Sequence, residues 1–254
     1  MTKVIDSVPT WTELRKTSFL KDKKIGFVPT MGALHEGHRS LLRLSRLENE
    51  ISVLSIFINP TQFDDPVDLK NYPQEFEKDL ELAKSEGVDV LFCPTASEMY
   101  RDGYAYKVQE NNFSKKLCGQ FRNEHFDGVL TIILKLFQLV KPTRAYFGEK
   151  DYQQYLLVAG LVRAFFLDVE VVPCPTIREI SGLALSSRNK RFNEDGLKKA
   201  SQFFSHLSSE LTPSEISQKL EQEGFEVDYI ENVEGRRYGA VKIDDVRLID
   251  NVKL

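Results

Sequence analysis

The feature that most constrains the fold is an alternation of short apolar runs with longer stretches of helical periodicity. Five runs have the composition of buried strands: IGFVPT (25–30), ISVLSIFIN (51–59), VDVLFCP (88–94), RAYFGEK (144–150) and DVEVVPCP (168–175). Strands that are apolar throughout and separated by helices are typical of βαβ units, in which helices cover both faces of a parallel sheet. We therefore predict an α/β fold built on a doubly wound parallel sheet.

Two of the intervening helices have clear patterns. The first, 36–48, is predicted to place Leu41, Leu42, Leu44 and Leu47 near one face. The other, 127–140, is apolar almost all round and ends at Lys141-Pro142, because proline cannot continue a helix.

The pattern changes after Pro175. A loop rich in serine and arginine covers 176–191, helices are predicted near 193–208 and 213–223, and β-like segments follow around Gly235 and Gly239. Because the βαβ alternation stops there, we predict two domains: 1–175, which contains the parallel sheet, and 176–254, a smaller α+β domain.

Composition excludes several classes of protein. The chain has 254 residues, 41% of them apolar, and its net charge of -4 provides no overall positive field to attract nucleic acid or an anionic membrane. Its three cysteines, Cys93, Cys118 and Cys174, have neither disulfide-framework nor zinc-ligand spacing, so we expect free thiols. The polar N-terminus has no signal-peptide pattern, and no segment has the length of a membrane span. We expect a cytoplasmic protein with no nucleic-acid or membrane partner.

The end of the first apolar run has the features of an anion site. It reads PTMGALHEGH (29–38) and passes directly into a predicted helix. Gly32 and Gly37 permit close backbone approach, and the free N–H groups and positive dipole at a helix start favour a bound phosphate.

Known phosphate-binding patterns do not match this turn. No two glycines are separated by a single residue, which excludes the dinucleotide pattern GxGxxG, and His38 occupies the position of the lysine that a phosphate loop requires. His35 and His38 are open to three interpretations: metal ligands, capping or surface residues, or imidazoles that face nucleotide phosphates. The chain offers no further His or Cys cluster to complete a zinc site, so metal ligands stay unassigned.

The longer pattern resembles the pantothenate synthetase (pantoate–β-alanine ligase) family, a branch of the HxGH nucleotidylyltransferase superfamily. The matching segments are PTMGALHEGH (29–38), FINPTQF (57–63), YPQ (72–74), HFDGVLTIILKLF (125–137), FGEKDYQQ (147–154) and LALSSRN (183–189), with weaker matches at VDYIE (227–231) and RLIDN (247–251). The resemblance implies a Rossmann-like sheet domain followed by a small lid domain, and a homodimer.

The resemblance also implies a two-step reaction with ATP as substrate and Mg²⁺ as its metal. Pantoate and ATP would give pantoyl adenylate and pyrophosphate, and the amine of β-alanine would then displace AMP to form pantothenate. Two alternatives stay open at this point: a nucleotidyltransferase of the same superfamily that acts on a phosphorylated acceptor, and a nucleotide sensor without activity.

Site residues follow from the resemblance, position by position. The catalytic positions are His38, His35, Lys150 and Arg188. The ATP-binding positions are Met31, Gly32, Ala33, Leu34, His35, Glu36, Gly37, His38, Gly148, Glu149, Lys150, Asp151, Ile177, Leu185, Ser186, Ser187 and Arg188. Gln62 is assigned to pantoate and β-alanine and Gln154 to pantoate, with Met31 and Phe63 as apolar cover for the substrate's methyl groups.

Two segments differ from the family pattern. Residues 118–123 read CGQFRN, which keeps an arginine, Arg122, but lacks the acid and the proline that the family usually has there. His125, just beyond this segment, is expected near the β-alanine side of the site, whereas His206 is expected on a helix surface. The C-terminal domain is also shorter than the family pattern.

Overall fold

The computed structural model describes residues 2–254 and contains two sheets. The strands are β1 (Lys3–Ile5), β2 (Ile25–Thr30), β3 (Ile51–Ile56), β4 (Val90–Phe92), β5 (Arg144–Gly148), β6 (Glu170–Cys174), β7 (Glu226–Val233), β8 (Arg236–Ile243) and β9 (Val246–Lys253). The helices are α1 (Val8–Lys16), α2 (Glu36–Glu48), α3 (Pro66–Lys70), α4 (Phe76–Ser85), α5 (Ala96–Met99), α6 (Cys118–Phe121), α7 (His125–Val140), α8 (Tyr152–Ala164), α9 (Glu194–Leu207) and α10 (Pro213–Gln222). Four short 3₁₀ helices are present at Pro60–Gln62, Phe113–Lys115, Glu149–Asp151 and Ser187–Arg191.

The larger sheet is parallel and doubly wound, as the sequence predicts. Its six strands lie in the order β1-β4-β3-β2-β5-β6, and every pairing is parallel. The chain moves outward in one direction from β2 through β3 and in the other from β5 to β6, so the order reverses between β2 and β5. Ligands of open α/β sheets bind at the carboxyl ends of the strands at such a reversal.

Both faces of this sheet are covered by apolar helix faces. Trp11 of α1 and Phe137 of α7 belong to the cluster on one face, and Leu42 of α2 and Ala83 of α4 belong to the cluster on the other. Each of these side chains is 0–3% exposed. Burying a leucine or phenylalanine side chain fully stabilises the fold by roughly 1.5–3 kcal/mol. The rigid sheet edge that results is what positions the site.

The smaller sheet is antiparallel, in the order β7-β8-β9, and both of its faces are buried. Val241 and Leu248 pack with α9 and α10, whereas Tyr229 and Tyr238 join the apolar cluster of the larger sheet. The second sheet is therefore fused to the first by an apolar interface. This agrees with the predicted fold class, a parallel sheet with a smaller C-terminal α+β unit.

Some local predictions needed correction. Leu47 is 83% exposed and does not share the buried face of α2, where Ser45 is buried instead and hydrogen bonds to Ser52. The run 88–94 forms a strand only over Val90–Phe92. Strand β1 was not predicted, because three residues with two exposed side chains carry no apolar pattern.

Two further expectations concern cysteines and membranes. Cys93, Cys118 and Cys174 are free thiols, as expected. Within the described range 2–254, every helix is too short or too polar to cross a bilayer.

Candidate active site

A cleft of about 1020 Å³ opens at the carboxyl ends of β2, β3, β5 and β6. Most of the residues predicted for the site line it: Met31, His35, Gly37, His38, Gln62, Phe63, Gly148, Lys150, Asp151, Gln154, Ile177, Leu185, Ser186, Ser187 and Arg188. Segments that are up to 157 positions apart in the chain, from Met31 to Arg188, therefore meet at one place.

The turn after β2 is held by a buried carboxylate. Gly32 and Ala33 have φ angles of +86° and +52°, a region that glycine adopts freely and alanine only at a cost. Asp79 of α4, 2% exposed, accepts the backbone N–H groups of Ala33 at 2.8 Å and Leu34 at 2.7 Å. These two hydrogen bonds compensate for the strained backbone and fix the direction in which the following histidines leave the turn.

The two histidines cap α2. His35 is the N-cap residue, and its Nδ1 accepts the N–H of Gly37 at 3.2 Å, while Nδ1 of His38 accepts the N–H of His35 at 3.3 Å. A ring nitrogen that accepts a hydrogen bond carries no proton, so a neutral imidazole must carry its proton on Nε2. Both rings line the cleft with centroids 4.1 Å apart, which gives the cleft two adjacent Nε2–H donors.

The surroundings of the two rings keep them neutral. Burial lowers the pKa of His38 to about 3, helped by the nearby His35 and by Lys150. Burial also lowers the pKa of His35 to about 4, with Lys150 and Lys190 contributing. The capping interpretation is therefore confirmed, and because both residues also line the cleft, it is compatible with the phosphate-facing interpretation. The metal-ligand interpretation has no support in residues 2–254, where no three His, Cys, Asp or Glu side chains are grouped for a metal ion.

We expect the free protein to keep both imidazoles in the neutral Nε2–H form from pH 8 to about pH 5. Because the folded-state pKa values lie below the ordinary 6.5, the stabilisation linked to these rings is complete above pH 6.5 and is lost as pH falls toward 4 and 3. Imidazole nitrogen NMR, with signals assigned from His35→Asn and His38→Asn, measures the pKa and the tautomer of each ring. A signal from either ring that titrates near pH 6.5 would contradict this description.

Lys150 is a lysine whose charge acts on both histidines. It lies in the 3₁₀ helix Glu149–Asp151 between β5 and α8, and its Nζ is 3.7 Å from Oδ1 of Asp151. Its charge is close enough to lower the pKa of both imidazoles. A lysine and two N–H donors thus face the same space, which is the arrangement that an oligophosphate requires.

The loop 186–188 lines the cleft as well. Ser186 caps the 3₁₀ helix Ser187–Arg191, and Nη2 of Arg188 lies 2.8 Å from the carboxylate of Asp68 in α3. Lys190 pairs in the same way with Glu75. The guanidinium of Arg188 is thus neutralised by Asp68, and a bound phosphate would compete with Asp68 for it.

Gln62 is held in a defined orientation. Asn59, 1% exposed, donates from Nδ2 to Oε1 of Gln62 at 3.0 Å, and Nε2 of Gln62 lies 3.2 Å from the sulfur of Met31. The helix α7 comes so close behind this segment that a Cβ at Gly128 would lie 2.3 Å from the carbonyl oxygen of Thr61, which explains the glycine in HFDG. The amide N–H₂ of Gln62 therefore points toward Met31 and the cleft.

The segment that departs from the family pattern supports Gln62 from behind. His125 Nδ1 lies 2.7 Å and Arg122 Nη2 lies 3.2 Å from the carbonyl oxygen of Gln62, and Arg122 Nη1 lies 3.0 Å from His125 Nε2. Burial and the charge of Arg122 hold the pKa of His125 well below its ordinary value. Gln154 lines the cleft, while its neighbour Gln153 is buried and binds backbone groups of 113–118.

Five residues predicted for ATP do not line the cleft: Gly32, Ala33, Leu34, Glu36 and Glu149. The first three form the turn beneath it, and the side chain of Glu36 is directed away, to Arg43 on the exposed side of α2. His206 lies on α9 and pairs with Glu223, as expected for a helix-surface histidine.

Sequence reasoning missed Asn59 and Asp79. Asn59 stands inside the quoted motif FINPTQF, so the motif itself contained the signal. Asp79 lies four residues before Ala83 in α4, and both are buried. An acidic residue on the apolar face of a predicted helix was the available signal.

Comparison with known proteins agrees with this geometry. The family model for pantoate-beta-alanine ligase matches residues 3–253. Pantothenate synthetases from Coxiella burnetii and Legionella pneumophila are 52% and 50% identical to this chain over 252 residues; the matches cover 99% of the chain in both cases, and 97% and 100% of the relatives. The expectation of a shortened C-terminal domain is therefore wrong with respect to these two relatives.

Solved structures give the same result. The pantoate-beta-alanine ligase of Francisella tularensis, complexed with beta-gamma ATP and beta-alanine, superposes with a TM-score of 0.95 at 39% identity, covering 100% of this chain and 98% of that one. Pantothenate synthetase from Thermus thermophilus has a TM-score of 0.90 at 38% identity, covering 99% of each chain. A family model that matches almost the whole chain and relatives that align end to end lead to one conclusion: this chain belongs to the pantoate–β-alanine ligase family.

Proposed function

We propose that this protein condenses pantoate with β-alanine to form pantothenate, with ATP converted to AMP and pyrophosphate. The observation that carries the proposal is the convergence on one cleft of two neutral histidines, Lys150, Arg188 and two glutamines. The ligase family and the relative solved with ATP and beta-alanine support it.

In the first step, a carboxylate oxygen of pantoate attacks the α-phosphorus of ATP, and the bond to pyrophosphate breaks. Negative charge grows on the leaving phosphates, so donors and cations fixed in advance lower the barrier. His35 and His38 supply this stabilisation through Nε2–H, and Lys150 and Arg188 supply it through charge. Gln62 and Gln154 hold pantoate, because an amide can donate to a carboxylate and accept from a hydroxyl at the same time.

In the second step, the neutral amine of β-alanine attacks the acyl carbon of pantoyl adenylate. The acyl carbon–oxygen bond breaks, AMP leaves with the bridging oxygen, and the nitrogen releases one proton to solvent. Gln62 is proposed to bind β-alanine as well as pantoate, and its backbone carbonyl is held by His125 and Arg122.

Mg²⁺ is proposed to enter with ATP and to neutralise its phosphates. Such an ion is commonly held by substrate phosphates, waters and one or two carboxylates. Asp151, which lines the cleft 3.7 Å from Lys150, is the carboxylate that fits this role, so a preformed cluster of protein ligands is unnecessary.

The remaining proposals concern the whole protein. We propose a division into residues 1–175 and 176–254, with the loop 186–188 at the start of the second part acting as the lid over the phosphates. A homodimer in the cytoplasm is proposed from the resemblance to the family.

Incubation with ATP, Mg²⁺ and pantoate, without β-alanine, is expected to release pyrophosphate and to form an acyl adenylate that mass spectrometry detects. A panel of other hydroxy acids serves as the control for specificity. Pyrophosphate release only with a phosphorylated acceptor would identify the protein as a nucleotidyltransferase instead, and nucleotide binding without any turnover would identify a sensor.

A further inference from the structure

Two buried polar residues at the end of β9 have no role in the reaction described above. Asp250 and Asn251, the last two residues of the RLIDN segment, are 4% and 5% exposed. Buried polar groups in a strand are kept only when their hydrogen bonds are satisfied, and here three of the partners, Glu149, Lys150 and Arg178, lie outside the small sheet.

Asn251 binds the backbone beneath Lys150. Its Nδ2 donates to the carbonyl oxygens of Glu149 at 2.8 Å and Lys150 at 3.0 Å. These carbonyls belong to the 3₁₀ helix between β5 and α8, a short element whose few internal hydrogen bonds leave it dependent on outside partners. The small sheet therefore fixes the backbone position from which the Lys150 side chain enters the cleft.

The orientation of the Asn251 amide is itself fixed. Arg236 of β8 donates to Oδ1 of Asn251, and its guanidinium lies 3.6 Å from the ring centroid of Tyr152, the first residue of α8. Because Oδ1 accepts from an arginine, Nδ2 must be the atom that faces the two carbonyls.

Asp250 binds the segment that precedes the loop 186–188. Its two carboxylate oxygens accept from Nη1 and Nη2 of Arg178 at 2.6 and 2.9 Å. Arg178 also donates to the carbonyl of Gly182 at 3.1 Å, and Leu185 donates to the carbonyl of Ile177 at 3.0 Å. These two hydrogen bonds hold residues 177–185 together, and the chain continues from there directly into the loop 186–188.

We propose that Asp250 and Asn251 are positioning residues that set the Lys150 turn and the loop 186–188 at the spacing required by the phosphates of ATP. The inference rests on the function proposed above and extends it, because it makes one strand of the small sheet part of the ATP site. Both residues act through other residues: Asn251 through Lys150, and Asp250 through Arg178 and the loop that follows it.

Asn251→Ala is expected to lower kcat/KM for ATP about tenfold in pantoate-dependent pyrophosphate release, because a misplaced charge stabilises the transition state less well. The KM for β-alanine is expected to stay within about twofold. Asn232→Ala, which removes an asparagine of the same sheet whose side chain accepts from Arg237, is the matched control and is expected to leave both parameters unchanged. Thermal unfolding confirms that each variant is folded.

Two comparisons separate positioning from a purely structural role. In a Lys150→Met background, Asn251→Ala is expected to change kcat/KM for ATP by less than about twofold, because the side chain that it positions is gone. Asn251→Asp is expected to be less active than Asn251→Ala, since a carboxylate facing two carbonyl oxygens repels them, whereas a space-filling role would give the opposite order. If Asn251→Asp does not fold, the cycle with Lys150→Met is decisive alone.

Equal losses from Asn251→Ala in the two backgrounds would overturn the inference while leaving the proposed function intact. Failure of the wild-type protein to release pyrophosphate from ATP and pantoate would overturn the proposed function first. The positioning claim would then be decided by ATP affinity alone, which Asn251→Ala is expected to weaken and Asn232→Ala is not.

Discussion

Replacement of Lys150 by methionine is expected to lower pantoate-dependent pyrophosphate release at least about a hundredfold, which is the scale of losing one preorganised charge at a developing anion. Methionine keeps the length and apolar stem of the side chain, so the change isolates the charge. Lys150 is 20% exposed, and it is the lysine whose charge lowers the pKa of both imidazoles. Single-turnover measurement separates this step from product release.

The matched control for Lys150 is Lys198→Met on the exposed side of α9, which is expected to react at the wild-type rate. Lys150→Arg is expected to retain part of the activity, because the charge is kept while the geometry changes. A wild-type single-turnover rate in Lys150→Met would remove this lysine from the proposed site.

Replacement of His38 is expected to be nearly as costly, and two variants divide its roles. His38→Asn keeps an acceptor for the N–H of His35 but has no donor in the place of Nε2–H. His38→Ala loses both. We expect adenylate formation to fall about a hundredfold in both variants, and only His38→Ala to lose roughly 1 kcal/mol of stability, the usual value of a helix-capping interaction.

Single-turnover kinetics and chemical denaturation, run on the same preparations, measure the two effects. His206→Asn provides the control, since His206 lies on α9 and binds Glu223, outside the cleft. If His38→Asn reacts at the wild-type rate, the imidazole serves α2 as a cap and takes no part in the chemistry.

Much of the fold was predictable from the sequence, because the alternation of apolar runs with helical stretches is typical of a parallel sheet covered by helices. The apolar run 25–30 and the helix predicted near 36–48 match β2 and α2, and the βαβ pattern ends before the second, antiparallel sheet, which begins at Glu226. The apolar pattern was wrong for Leu47, which is exposed. The side of α2 that faces β3 carries Ser45 instead, which hydrogen bonds to Ser52.

The residues that line the cleft could be named from the sequence, but their supports could not. His35 and His38 follow a strand end, where ligands bind in α/β folds, and Lys150 and Arg188 lie in segments that resemble the family. Asp79 is distant in sequence from the turn that it holds, and Asn251 is about 100 positions from Lys150. Contacts of this kind depend on packing between elements, which no local pattern encodes. The neutral state of the histidines is likewise a consequence of burial that only the folded chain displays.

The most direct test of the adenylate mechanism follows the oxygen atoms of pantoate. With pantoate carrying a heavy oxygen isotope in its carboxylate, we predict that AMP acquires one labelled oxygen and that pantothenate keeps the other. This follows because the bridging oxygen of pantoyl adenylate comes from the carboxylate and leaves with AMP. Label found in inorganic phosphate together with ADP, or AMP formed without label, would contradict the adenylate mechanism and the site built around it.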